Sequence, residues 1–86
     1  MIMATAKRPS MKSLSEYPTY FPEIGLRFRE LRQSRGLTQV QFAESIGANI
    51  STIKNIELYG ITPNIFLLRQ VRKVYHVSYD WLIDGH

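Results

Sequence analysis

None of the 86 residues is cysteine, so neither a disulfide framework nor a thiolate metal site can hold this chain together. Histidine is scarce as well. His76 and His86 fall in different segments, which gives no metal cluster, and no metal or other cofactor is expected. No apolar run approaches the roughly 20 residues that span a bilayer. The opening MIMATAKR lacks the apolar stretch of a secretory leader, so a cytoplasmic protein is expected. There is no glycine-rich phosphate loop and no Ser-His-Asp arrangement, and the carboxylates fall singly. No catalytic residue stands out, and an enzyme is not expected. A chain this short supports one core, not two.

What the chain does have is a modest basic excess, +4 overall. Residues 1–22 carry Lys7, Arg8 and Lys12 against Glu16, and the remainder carries eight Lys and Arg against six Asp and Glu. Such an excess suits a polyanionic partner without demanding one. Residues 1–22 are rich in Ser, Thr, Pro and Lys, and Pro9, Pro18 and Pro22 forbid a long helix there, so this segment reads as an irregular arm. Tyr17, Tyr20 and Phe21 interrupt its polar pattern, either folded back on the domain or exposed.

From residue 23 to residue 86 the pattern is helical throughout. Ile24, Phe28 and Leu31 form the stripe of a first helix, ringed by Arg27, Arg29, Arg32 and Arg35 and closed by Gly36. Thr38 caps a second helix, with Gln41 at capping-box spacing. Asn49 caps a third that runs to about Leu58. Pro63 is placed in the first turn of a fourth helix, with Ile65, Leu68, Val71 and Tyr75 facing inward. His76 takes a closing turn where glycine would be easier. Ser78 caps a short fifth helix, from Tyr79 to about Ile83.

The most informative stretch is QVQFAESIGANISTIKNIE, from Gln39 to Glu57. Two short helices crossing steeply need a small residue at their approach, which Ala43 supplies, and a residue tolerant of positive φ in the turn, which is Gly47. Phe42, Ile46, Ile53 and Ile56 then bury the inner faces. Ile50, Ser51, Lys54 and Asn55 remain on the outer face of the second helix of the pair, short or polar and free to reach another molecule.

Residues 24–85 resemble the DNA-binding domain of phage repressors and Cro proteins, the xenobiotic-response-element-like regulators. The resemblance rests on Ile24-Gly25, Leu31-Arg32, Gly36-Leu37-Thr38-Gln39, Ala43, Gly47, Ser51-Thr52-Ile53, Ile56-Glu57, Pro63 and Val77-Ser78-Tyr79-Asp80-Trp81-Leu82, all in order. It implies an all-α, five-helix, lambda-repressor-like domain with a helix-turn-helix at helices 2 and 3. It further implies a sequence-specific regulator of transcription that binds double-stranded DNA, a Cro-like repressor on a pseudo-palindromic operator.

Position by position, the resemblance assigns Gln39 a backbone phosphate, helped by the free N–H groups of a helix start. The alternative is an ordinary exposed glutamine. Asn49, Ile50, Ser51, Lys54 and Asn55 match groove-facing positions, where guanine acceptors suit Lys54, adenine suits Asn55 and a thymine methyl suits Ile50. For Asn49, capping and contact are compatible. Arg32 and Glu57 match a structural pair joining the first helix to the end of the third. Leu82 and Ile83 are the dimer candidates, in a weak homodimer formed by the domain itself or on DNA, and Trp81 is assigned to the core. Lys7, Arg8 and Lys12 would reach the duplex as an arm, or form a solvated tail.

Several positions depart from the family pattern. Leu26, Phe66 and Leu67 stand where polar surface residues are usual, Tyr59 displaces a glycine to Gly60, and Arg72 replaces a small inward residue. Exposure of Phe66 and Leu67, together with the non-basic Ile50 and Ser51, would support a second reading, a protein-interaction module such as an antitoxin or small adaptor, and so would a contiguous patch formed with Leu26.

Overall fold

The structure, a computed structural model, describes residues 21–86. The positions of Lys7, Arg8, Lys12, Tyr17 and Tyr20 lie outside the described residues. Four α-helices, α1 (Pro22–Ser34), α2 (Gln39–Ser45), α3 (Ile50–Tyr59) and α4 (Ile65–Tyr75), are followed by a single π-wound turn, α5 (Asp80–Asp84).

Helix α1 starts one residue earlier than the sequence suggests, with Pro22 as its first residue, where a missing N–H is no loss. The Phe21 N–H donates to the Gly60 carbonyl at 2.7 Å, which ties the start of the domain to the end of α3. Ile24, Phe28 and Leu31 are buried as their spacing implies. The capping box of α2 forms in both directions. Thr38 Oγ1 accepts from the Gln41 N–H at 3.1 Å, and Gln41 Oε1 accepts from the Thr38 N–H at 2.9 Å.

One core joins all five elements. Phe28, Phe42, Ile46, Ile53, Val71 and Leu82 lie at its centre, with Trp81 packed partly buried against it. Phe42 meets Phe28 edge-on and stacks on Tyr75, with centroids 5.8 and 5.4 Å apart. Tyr75 pairs its hydroxyl with Ser45 Oγ, so the end of α4 is bonded to the end of α2.

Three expectations need correction. Pro63 is not helical: Asn64 is the N-cap of α4, its Oδ1 accepting from the Leu67 N–H at 2.9 Å, and Pro63 lies buried one residue outside. Ile65 is therefore the first helical residue and stands 69 % exposed, while Leu67, at 4 % exposure, takes its place in the inward stripe. Leu82 is fully buried, so it cannot meet a second chain, because the π-wound turn rotates it into the core and leaves Ile83 outside.

Other departures are absorbed locally. Helix α3 continues to Tyr59, and Gly60 closes it at φ 69°. Arg72 turns out to solvent with its guanidinium 5.0 Å from the Tyr79 ring centroid. His76 adopts φ 58°, the non-glycine residue with positive φ among those described. Replacing His76 with glycine is expected to stabilise the domain by about 0.5–1 kcal/mol, since relief of the left-handed strain exceeds the added freedom of the unfolded chain. Urea unfolding of the two proteins checks this.

Candidate nucleic-acid interface

The recognition unit is α2, the turn through Gly47, and α3. The turn forms because Ala43 can be buried, its carbonyl accepting from the N–H groups of Ile46 and Ala48 at 3.2 and 2.9 Å, while Gly47 takes φ 73°. Ile53 and Ile56 anchor α3 in the core. Their spacing leaves Ile50, Ser51, Lys54 and Asn55 on the opposite side, all exposed. Among the described residues no hydrogen bond or ion pair engages the side chains of these four. The face is free to bond elsewhere.

Asn49 occupies the N-cap position of α3 with extended backbone, but its side chain makes no cap bond. The expected capping role falls to its backbone carbonyl alone, which accepts from the Thr52 and Ile53 N–H groups. The Asn49 amide is exposed at the head of the recognition helix, beside the free N–H groups of the first turn.

Behind this face sits a buried charge. The Glu57 side chain is 0 % exposed, and donors from two other helices converge on it. Arg32 grips it in fork geometry, Nη2 to Oε1 at 2.9 Å and Nε to Oε2 at 3.0 Å. Arg32 Nη1 also donates to the Leu37 carbonyl at 3.0 Å, bracing the chain just before α2. Arg29 Nε lies 3.8 Å from Oε1, and its Nη2 donates to the Glu57 carbonyl at 3.3 Å.

Gln39 belongs to the same group. Its Nε2 donates to Glu57 Oε1 at 3.2 Å, so one amide proton is committed inward while the other remains available. Glu57 thus joins α1, the head of α2 and the last turns of α3. The Arg32–Glu57 pairing is the one that the family resemblance implies; the Gln39 link and the second arginine are not signalled, because no periodicity relates residues 18 and 28 positions away from Glu57.

Gly25 is the other feature that sequence reasoning left unexplained. A Cβ there would lie 2.1 Å from the Ile56 carbonyl oxygen, so α1 and α3 pass backbone against backbone at this point. Arg27 also has a partner that no local pattern signals. Its Nη1 donates to the Leu82 and Ile83 carbonyls at 2.9 and 3.1 Å, which pins α5 to α1.

The expected dimer residues separate: Leu82 is core, and Ile83 is exposed on α5. Among the described residues there is no group of three or more His, Asp or Glu placed to hold a metal ion, and no helix is long and apolar enough to cross a membrane.

Comparison with known proteins agrees with this architecture. A family model described as helix-turn-helix matches residues 28–82. The HTH-type transcriptional regulators PuuR of Escherichia coli (strain K12) and of Shigella flexneri are each 41% identical to this chain over 54 residues, 63% of its length. The matched segment spans 29% of those relatives, well under half of their length. The residues from Phe28 to Leu82 carry the match, and by it the chain belongs to the helix-turn-helix family of DNA-binding transcriptional regulators, a non-enzymatic family.

Proposed function

We propose that this protein is a sequence-specific, Cro-like repressor that reads a pseudo-palindromic operator by laying α3 in the major groove. The observation that carries the reading is the uncommitted outer face of α3: Ile50, Ser51, Lys54 and Asn55, with the Asn49 amide at its head. Lys54 is suited to guanine acceptors, Asn55 to the donor and acceptor of adenine, and Ile50 to a thymine methyl. Gln39 offers its second amide proton to a phosphate at the start of α2. Lys7, Arg8 and Lys12 are assigned to neighbouring phosphates, and the site of action to the cytoplasm.

One such helix covers only a few base pairs, so two copies on half-sites about one helical turn apart are required for specificity. Ile83 is the proposed dimer contact. A single exposed isoleucine gives a weak dimer that DNA completes.

Selection of duplexes from a random library at about 0.15 M salt tests the proposal, since phosphate-only binding is weakened there. The expected outcome is a motif with two-fold symmetry. Lys54→Ala and Asn55→Ala are then each expected to lower operator affinity by about ten-fold, in line with roughly 1–3 kcal/mol for a good base contact. Their melting temperatures should not change, because both side chains are exposed. The absence of any enriched motif would favour the second reading, an antitoxin-like or adaptor module, for which the exposed Phe66 is the supporting observation.

A further inference from the structure

The basic excess of the domain is not spread evenly. Helix α4 (Ile65–Tyr75) carries Arg69, Arg72 and Lys73 and no carboxylate, which exceeds the net surplus of two over residues 23–86. The four arginines of α1 are occupied within the fold. Arg27 holds carbonyls of α5, Arg29 and Arg32 hold Glu57, and Arg35 lies 5.3 Å from the Tyr75 ring centroid while donating to the Tyr75 carbonyl. Among the described residues, the cations with no hydrogen-bonded or ion-pair partner are Lys54 on the recognition helix and the three on α4.

These three stand in helical register. Arg69 and Lys73 are four residues apart, and Arg69 and Arg72 three, so they share one face. Two shallow grooves meet along it, both lined by Arg72 and Lys73. One also takes in Phe66, Arg69, Gln70 and Tyr79, and the other His76, Val77 and Ser78. Phe66 is 60 % exposed at one end of the face. The surface sets three cations beside one exposed aromatic side chain.

We infer that this face of α4 binds an acidic segment of a partner protein that carries apolar side chains next to its carboxylates. Charge complementarity selects the acid, with Arg69, Arg72 and Lys73 placed to pair with carboxylates. Phe66 supplies an apolar contact that a uniformly charged polymer cannot use. The basic arm of this chain is excluded as occupant by its own charge, since Lys7, Arg8 and Lys12 outnumber Glu16. Stacked nucleic-acid bases are disfavoured because the Arg72 guanidinium already covers the Tyr79 ring. The three cations lie on a different helix from the proposed base-reading face, and the two surfaces adjoin only at Phe66, which shares a shallow groove with Asn49.

The test is titration of the full chain with a synthetic peptide of repeated Glu-Glu-Leu-Leu, followed by amide NMR at about 0.15 M salt, where exposed charges are screened beyond about 8 Å. Polyglutamate of equal length and oligothymidylate are titrated in parallel. The expected result is saturable shifts confined to residues 66–79, with at least about ten-fold weaker binding of polyglutamate, equivalent to about 1.4 kcal/mol. Arg69→Glu combined with Lys73→Glu should abolish those shifts without lowering the melting temperature or the preference for operator over scrambled duplex. Equal binding of polyglutamate, tighter binding of oligothymidylate to this face, or no saturable shift would each overturn the inference.

Discussion

Gly25→Ala is expected to destabilise the domain by about 3 kcal/mol or more, the upper range for overpacking, and to lower its melting temperature by roughly 15 °C. The added methyl would lie 2.1 Å from the Ile56 carbonyl oxygen and 3.1 Å from its carbon, and both atoms are backbone. No rotamer change can relieve that contact, so α1 and α3 must move apart. The movement would loosen the seat of the recognition helix and also strain the Arg32–Glu57 contact between the same two helices. Chemical denaturation of wild type and variant measures the loss. A difference below about 1 kcal/mol would mean that the helices separate easily and that their close approach matters little.

Removing the buried carboxylate is expected to have an equal or larger effect. Glu57→Leu should destabilise by about 3–5 kcal/mol, because Arg32 would remain desolvated with no counter-charge. The Gln39 amide would lose its inward partner in the same step. Combining Glu57→Leu with Arg32→Met removes the unpaired cation, and the double variant is expected to be more stable than Glu57→Leu alone. Thermal unfolding of the two singles and the double separates these terms. If the double variant were no more stable than Glu57→Leu, the pair would not be the source of the loss. DNA affinity should fall in both, since the carboxylate also fixes the Gln39 side chain at the head of α2.

These two residues mark where the sequence was legible and where it was not. Local rules sufficed for the capping box at Thr38 and Gln41, for Gly47 in the turn and for the buried faces of α1 and α2, because each depends on neighbours within a few positions. The Arg32–Glu57 pair was legible only through the family resemblance. The demand for glycine at position 25 comes from Ile56, 31 positions away, and nothing near Gly25 in the chain signals it.

Register explains the remaining misses. Placing Pro63 inside α4 assigns Ile65 to the core, whereas an N-cap at Asn64 makes Ile65 the first helical residue and turns it outward. At the other end, a regular α-turn and a π-wound turn expose different residues, so Leu82 and Ile83 could not be told apart before the turn was seen. The outer face of α3 was legible for the converse reason. Its spacing is regular, and the burial of Ile53 and Ile56 leaves no choice about which side Lys54 and Asn55 occupy.

The most direct measurement of the central claim, that this face reads bases, is a specificity ratio. Affinity for the selected operator is compared with affinity for a scrambled duplex, in the wild type and in a variant carrying Ile50→Ala, Lys54→Ala and Asn55→Ala together. The wild type should prefer its operator by about 10³-fold or more, as specific readers of duplex DNA do. The triple variant should keep its fold and most of its binding to the scrambled duplex, while the ratio collapses toward about one, because phosphate contacts carry no sequence information. A ratio unchanged by the three substitutions would contradict the account and place sequence reading elsewhere on the molecule.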